Sequence, residues 1–193
     1  MKLGFIGTGA ISSDVITGIC KSKLSFKKIV ISPRNRTKAS FLKKKFKNKI
    51  IIAKSNQDVI NNSKWVFLGV LPEVGLKILP DLKFKSNQTI VSFISTINYS
   101  KLKKITNNKA NIVRPIPMPP ISLGKGPVAL YPPNKNVKNF FDKIGTSIEI
   151  KNEKLSNNFW AISGTMASFY ELVKILSDHK IVKIFHYGRS STD

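Results

Sequence analysis

The chain has 193 residues, 41% of them hydrophobic, which is enough for one full domain plus an appendage around an ample core. No apolar run approaches the length of a membrane span, and Met1-Lys2-Leu3 leads straight into an apolar stretch, so a soluble, cytoplasmic protein with no membrane partner is expected. The single cysteine, Cys20, excludes an internal disulfide and a thiolate metal cluster and reads as a small core filler.

A formal charge of +23 would ordinarily point to nucleic acid or an acidic membrane. Here the excess is almost wholly lysine, spread from Lys21 to Lys183 among many asparagines and isoleucines, as AT-rich codons produce. Arginine, the residue favoured for phosphate and base recognition, stands only at positions 34, 36, 114 and 189. The densest run, Lys43 to Lys49, accompanies Phe41, Leu42 and Phe46 at helical spacing and reads as one solvated face. No specific nucleic-acid partner is expected, although the field suits an anionic dinucleotide.

In chain order, Lys2-Leu-Gly-Phe-Ile6 is a short apolar strand that enters a tight turn, Gly7-Thr-Gly-Ala-Ile11, and then a helical pattern carrying Val15, Ile16 and Ile19. This is the start of a nucleotide-binding βαβ unit. Gly7 allows the turn, Gly9 lets the backbone approach a pyrophosphate, and the N–H groups from Ala10 to Ser12 face that anion from the helix start. Ser12 replaces the last glycine of G-x-G-x-x-G and is small enough to keep helix and sheet close. The second strand, Lys28 to Ser32, ends in Ser32-Pro-Arg-Asn-Arg36 with no acidic residue. NAD-binding chains usually hold the ribose hydroxyl with an acid there, whereas the Ser32 hydroxyl and Arg34 guanidinium suit a ribose phosphate, so NADP(H) is preferred. The same residues would also serve as a plain surface turn.

A third strand, Lys49 to Ala53, leads to Ser55-Asn-Gln-Asp58, whose side chains can cap a short helix. Lys64 to Val70 is a nearly continuous apolar run, as strands buried on both faces show, and Pro72 stops it. Glu73 to Leu82 suits a crossover helix, Gln88 to Ile94 a strand, and Tyr99 to Ile105 a lysine-rich helix. Asn111 to Pro120 is a strand running into a proline-stiffened loop, expected as a rigid wall beside the cofactor. A strand at Val128 to Tyr131, a helix face at Phe140, Phe141 and Ile144, and a strand at Ser147 to Ile150 follow. The alternation predicts an α/β fold with a Rossmann-type, doubly wound, mostly parallel sheet over residues 1–151. Residues 152–193 start an α-helical substrate and dimerisation segment, in which Phe159, Ile162, Met166, Phe169, Tyr170 and Val173 write an apolar face around Ser163-Gly164-Thr165. Glycine there serves either close helix packing or a substrate pocket. His179 and His186 lack carboxylate or cysteine partners at ligand spacing, so no metal site is expected.

These pieces resemble the pyrroline-5-carboxylate reductase family. The resemblance covers roughly residues 1 to 170 and rests on the glycine turn, Ser32-Pro-Arg-Asn35, Asn56 after the third strand, Phe67-Leu-Gly-Val-Leu-Pro72, Arg114-Pro-Ile-Pro117 and Ile162-Ser-Gly-Thr165. It implies an NADPH-dependent oxidoreductase acting on a C=N bond, the reduction of 1-pyrroline-5-carboxylate to proline in proline biosynthesis. It further implies that Gly7, Thr8, Gly9, Ala10, Ile11, Ser32, Arg34, Asn35, Asn56, Val70 and Pro72 bind NADP(H). Ser163, Gly164 and Thr165 would bind a small-molecule imine substrate, and a homodimer is expected. The family usually has Lys where Leu71 stands, Ala-Gly at Ser95-Thr96 and Met-Pro-Asn at Ile116-Pro117-Met118, all on the nicotinamide side. Most of the family's helical domain has no counterpart here. No catalytic side chain is assigned, because hydride transfer to an imine needs positioning and electrostatics rather than a nucleophile. The alternative is a non-catalytic or regulatory NADP-binding module related to that family.

Overall fold

The computed structural model describes residues 1–106 and 110–178. Four apolar runs form the central strands β1 (Lys2–Ile6), β2 (Lys28–Ile31), β4 (Trp65–Leu68) and β5 (Thr89–Ser92). Strands β3 (Ile50–Ile52), β6 (Asn111–Pro117), β7 (Pro127–Tyr131) and β8 (Thr146–Glu149) complete one sheet of order β3-β2-β1-β4-β5-β6-β7-β8. The first six strands are parallel; β7 runs antiparallel to β6, and β8 runs parallel to β7. The Rossmann-type sheet expected from the sequence is therefore present, with its switch point between β1 and β4.

Both sheet faces are covered, which is why apolar residues of the central strands point to both faces, throughout Trp65–Leu68 in β4. On one face lie α1 (Ala10–Lys21), α2 (Arg36–Phe46) and α6 (Lys135–Phe141). They bury Val15, Ile16, Ile19, Leu42 and Phe140 against the Phe5 and Phe67 rings, which stack at 4.3 Å. Cys20 is buried in this layer, where desolvation pushes its thiol up to about 11. On the other face lie α3 (Asn56–Asn61), α4 (Pro72–Ile78) and α5 (Tyr99–Ile105), around Val59, Ile60, Ile90 and Leu102.

Local chemistry sets the ends. Ser55 accepts the Asp58 N–H at 3.1 Å while Asp58 accepts the Lys54 N–H at 2.9 Å, a reciprocal cap for α3. Pro80 ends α4 sooner than expected: the helix stops at Ile78 and Leu79–Asp81 forms a 3-10 turn, since proline supplies no N–H and crowds the preceding turn. Along α2 the stripe facing the core is Ala39, Leu42 and Phe46, so Phe41 falls outside it, exposed beside the Lys45 ammonium. Lys43 bonds the Lys47 and Ile50 carbonyls and Lys49 the Cys20 carbonyl, so part of the dense lysine run satisfies helix-end carbonyls.

One expectation changes in the later segment, and one is met. The proline loop is a 3-10 helix, Pro119–Leu123, whose Ile121 is buried against α1; a methyl on Gly18 would sit 2.3 Å from the Ile121 carbonyl oxygen. It braces α1 from the side and does not line the groove described below. The apolar helix is a continuous α7, Glu153–Asp178. Its first half seats Phe159 and Trp160 on Ile116, Ala129, Tyr131 and Ile150, while Ile162, Phe169, Leu172, Val173 and Ile175 remain 41 to 60% exposed. His179 and His186 lie outside the described residues. No described helix is long and apolar enough to cross a membrane.

Candidate functional site

The β1–α1 turn is fixed by its neighbours. Gly7 has φ of +98°, and a Cβ on it would lie 2.3 Å from the Gly69 carbonyl oxygen, so no other residue fits. Its N–H donates to the Ser32 Oγ at 2.9 Å, tying the turn to the end of β2. Thr8 is buried, and its carbonyl accepts the Ser13 hydroxyl at 3.2 Å. Gly9 is the N-cap of α1, with no side-chain cap and no acid in the first turn. The first N–H groups of that helix, from Ala10 and Ile11, thus face outward with its positive dipole end.

These residues open onto a groove of about 900 Å³ at the carboxyl ends of β1, β2, β4 and β5. Gly7, Thr8, Gly9, Ala10, Ile11, Ser32, Arg34, Asn35, Asn56, Val70 and Pro72 all line it, so the expected cofactor residues are brought together in one crevice. It sits at the switch point, where open α/β sheets take their ligands. Gly9 provides the test of fit. A Cβ there would meet only the Gly69 carbonyl oxygen, at an ordinary 3.7 Å, so packing within the chain does not demand glycine. The space that the missing side chain leaves lies over the uncapped helix end, where a pyrophosphate would need it. No Asp or Glu is among the described residues lining the groove, while Arg34 and Arg36 are. The donor set suits a polyanionic dinucleotide.

Some of these residues also hold the frame. Asn35 accepts the Lys38 N–H at 3.0 Å and caps α2, and the Ser32 oxygen already receives the Gly7 N–H, leaving its proton to donate. Arg34 is exposed at the rim. The sequence reading did not assign Phe93 and Ile94, which follow β5 and, with Ser95, wall the groove's far end. The signal available was positional: the loop after each parallel strand faces the crevice.

Residues 2–99, half of the chain, match the family described as NADP oxidoreductase coenzyme F420-dependent. The chain belongs to this family. The sequence resemblance is likewise borne out among curated relatives. The pyrroline-5-carboxylate reductase of Haemophilus influenzae is 21% identical over 94% of this chain and 69% of its own length. Pyrroline-5-carboxylate reductase 3 of Danio rerio is 27% identical over 67% of this chain and 45% of its own. The chain thus spans between 45% and 69% of the length of these two relatives. Among solved structures, Plasmodium falciparum pyrroline carboxylate reductase with NADP bound superposes with a TM-score of 0.77 at 23% identity, covering 95% of this chain and 70% of that one, a likeness of fold.

The expected substrate residues do not join the groove within one chain. Ser163 lines a separate apolar cavity of about 250 Å³ with Ile116, Met118, Phe159 and Met166, and its hydroxyl donates to the Trp160 carbonyl at 2.8 Å. Thr165 is exposed and bonds the Ile162 carbonyl at 2.7 Å; a Cβ on Gly164 would meet nothing within 4 Å. Close packing therefore does not account for Gly164 in this chain. Of the positions assigned to the nicotinamide side, Leu71 and Ser95 line the groove, whereas Ile116 and Met118 line the second cavity.

Sequence reasoning also missed Arg114 as a structural centre. It is fully buried on β6, donating to the Ser95 carbonyl at 2.7 Å and to the Glu153 carboxylate at 3.1 Å. Burial lowers its pKa, and the neighbouring Glu153 and Tyr131 partly offset this. Tyr131, on the adjacent strand, has its phenol raised by burial and by Glu153.

Proposed function

We propose that this protein is an NADPH-dependent oxidoreductase that reduces the C=N bond of a small cyclic imine of the 1-pyrroline-5-carboxylate kind. The observation carrying this is the switch-point groove, with an uncapped helix start beside Gly9 and Arg34 in place of an acid at the end of β2. When bound, the dihydronicotinamide would supply a hydride. The chain's part is to hold the anion on the Gly7 to Ile11 turn, to favour a ribose phosphate with Arg34 and Ser32, and to seat the far end against Val70, Pro72 and the loop after β5. Nothing in this role requires a nucleophile. The two-part organisation into residues 1–151 and 152–193 belongs to the same reading. So does a homodimer formed through α7, which would bring Ser163, Gly164 and Thr165 to a substrate that they do not reach in the single chain.

That last observation favours a second reading, a non-catalytic NADP-binding module. Following NADPH oxidation with pyrroline-5-carboxylate separates the two. Turnover supports the reductase; micromolar NADPH binding without turnover leaves the module.

A further inference from the structure

Arg114 occupies a position that strand periodicity reserves for an apolar side chain. Ile112 and Ile116, two residues to either side on β6, share its sheet face and are buried. A guanidinium buried there is held at a desolvation cost that a hydrophobic residue would avoid, so net stability does not explain it. Its bonds do. Nη2 donates to the Ser95 carbonyl at 2.7 Å, and Nη1 reaches Glu153 Oε1 at 3.1 Å. The same Glu153 oxygen accepts the Tyr99 N–H at 2.7 Å. Ser95 lies within the loop between β5 and α5 and Tyr99 directly follows it, so the loop is tied to the first turn of α7 at its end through Glu153 and in its middle through Arg114. The Trp160 ring, two turns along α7, lies 5.8 Å from the guanidinium carbon.

We infer that Arg114 and Glu153 are positioning residues that couple the placement of α7 to the loop walling the far end of the dinucleotide groove. This rests on the reading of that groove given above. The helix and the loop share one carboxylate and one guanidinium, so neither can shift while the other keeps its hydrogen bonds. Ordering the loop around a ligand therefore orders the base of α7, and displacing α7 loosens the wall. The opposite end of the groove, at Gly7 to Ile11 and Arg34, has no part in this linkage.

The test uses the full chain and two ligands, NADPH and adenosine 2′,5′-bisphosphate, which occupies only the Gly7 and Arg34 end. For Glu153→Ala, NADPH affinity is expected to fall about tenfold while the bisphosphate changes less than about twofold, with Glu153→Gln restoring most of the loss because its amide oxygen still accepts. Amide exchange should show reduced protection over residues 93–99 and unchanged protection over α1. Should Glu153→Ala fail to fold, the double variant Arg114→Met/Glu153→Ala removes both charges together and is read in the same way. Equal losses for the two ligands, or unaltered protection of 93–99, would overturn the coupling. If the unmodified chain binds neither ligand, the proposed cofactor function falls, and the exchange comparison still decides the coupling.

Discussion

Gly69 lies so close to α1 that a methyl group on it would sit 2.0 Å from the Ser12 hydroxyl oxygen. That oxygen is buried with no hydrogen-bond partner. Two consequences follow from one contact. Gly69→Ala should destabilise the fold by about 1–3 kcal/mol through overpacking. Ser12→Ala should be neutral or slightly stabilising, because it removes an unsatisfied polar atom. Combining them should recover most of the Gly69→Ala loss, since the Ser12 Cβ is then the nearest neighbour at an ordinary 3.4 Å. Urea unfolding of the three variants measures the cycle, and strict additivity would refute the contact.

Ser32 should matter to the turn as much as to any ligand. Its oxygen receives the Gly7 N–H at 2.9 Å, and Ser32 is buried. Ser32→Ala should cost about 1 kcal/mol of stability and weaken NADPH binding, because it leaves that N–H unpaired beside the phosphate seat. Calorimetry on the variant reads both; an unchanged melting temperature would contradict the bond.

Arg34 should decide between the two nicotinamide cofactors. It lines the groove at the end of β2, where no carboxylate stands. Losing one charge-assisted contact to a ribose phosphate would cost about 1.5–3 kcal/mol, roughly a factor of ten to a hundred. Arg34→Asp should therefore reverse the preference from NADPH to NADH. Equal affinity of the unmodified chain for both cofactors would remove the basis for this expectation.

Cys20 gives stability a dependence on high pH. An unfolded thiol titrates near 9.0, whereas in the fold burial pushes it up to about 11, with Lys49 pulling weakly the other way. Below pH 9 both states carry the proton and the stabilisation is full. Between pH 9 and 11 the unfolded chain releases its proton while the folded chain keeps it, so stability falls as pH rises. Cys20→Ala should lose less over the same interval in denaturant titrations. At pH 7.5 the native thiol should resist iodoacetamide until the chain unfolds.

The exposed apolar row on α7 carries the expectation of self-association. Ile162, Leu172, Val173 and Ile175 stay 41 to 60% exposed in the chain, and covering what remains of each would be worth roughly 1 kcal/mol. Ile162→Glu/Val173→Glu should convert a dimer to a monomer by sedimentation, and any dependence of the melting temperature on protein concentration should vanish with it. A monomer before mutation would sink the idea.

Sequence alone reveals what local pattern and strand ends determine. The helix from Tyr99 to Ile105 is found with its expected bounds, because Asn98 caps it and its lysines mark one wet face. The groove was readable because a glycine turn, a strand end at Ser32 and a proline stop at Pro72 all fall at carboxyl ends of parallel strands. What escaped depends on distance. Nothing near Arg114 announces a partner 39 residues away at Glu153, and an arginine in Asn111 to Pro117 looks like any edge-strand cation. The prolines after Met118 read as stiffness, but whether a stiff segment walls a groove or braces α1 depends on Ile121 meeting Gly18, a contact across 103 positions.

The order in which the groove's residues occur along the chain has a consequence for synthesis. Every described residue lining the crevice, from Gly7 to Ser95, precedes the last three strands and α7. The first hundred or so residues therefore contain the complete lining together with β1 and its two partners β2 and β4, whereas the Ile121 and Phe140 that pack on α1 come later in the chain. The bond from Arg114 to Glu153 can close only once α7 has been made, so the last tie on the loop that ends the lining comes from the last described element of the chain.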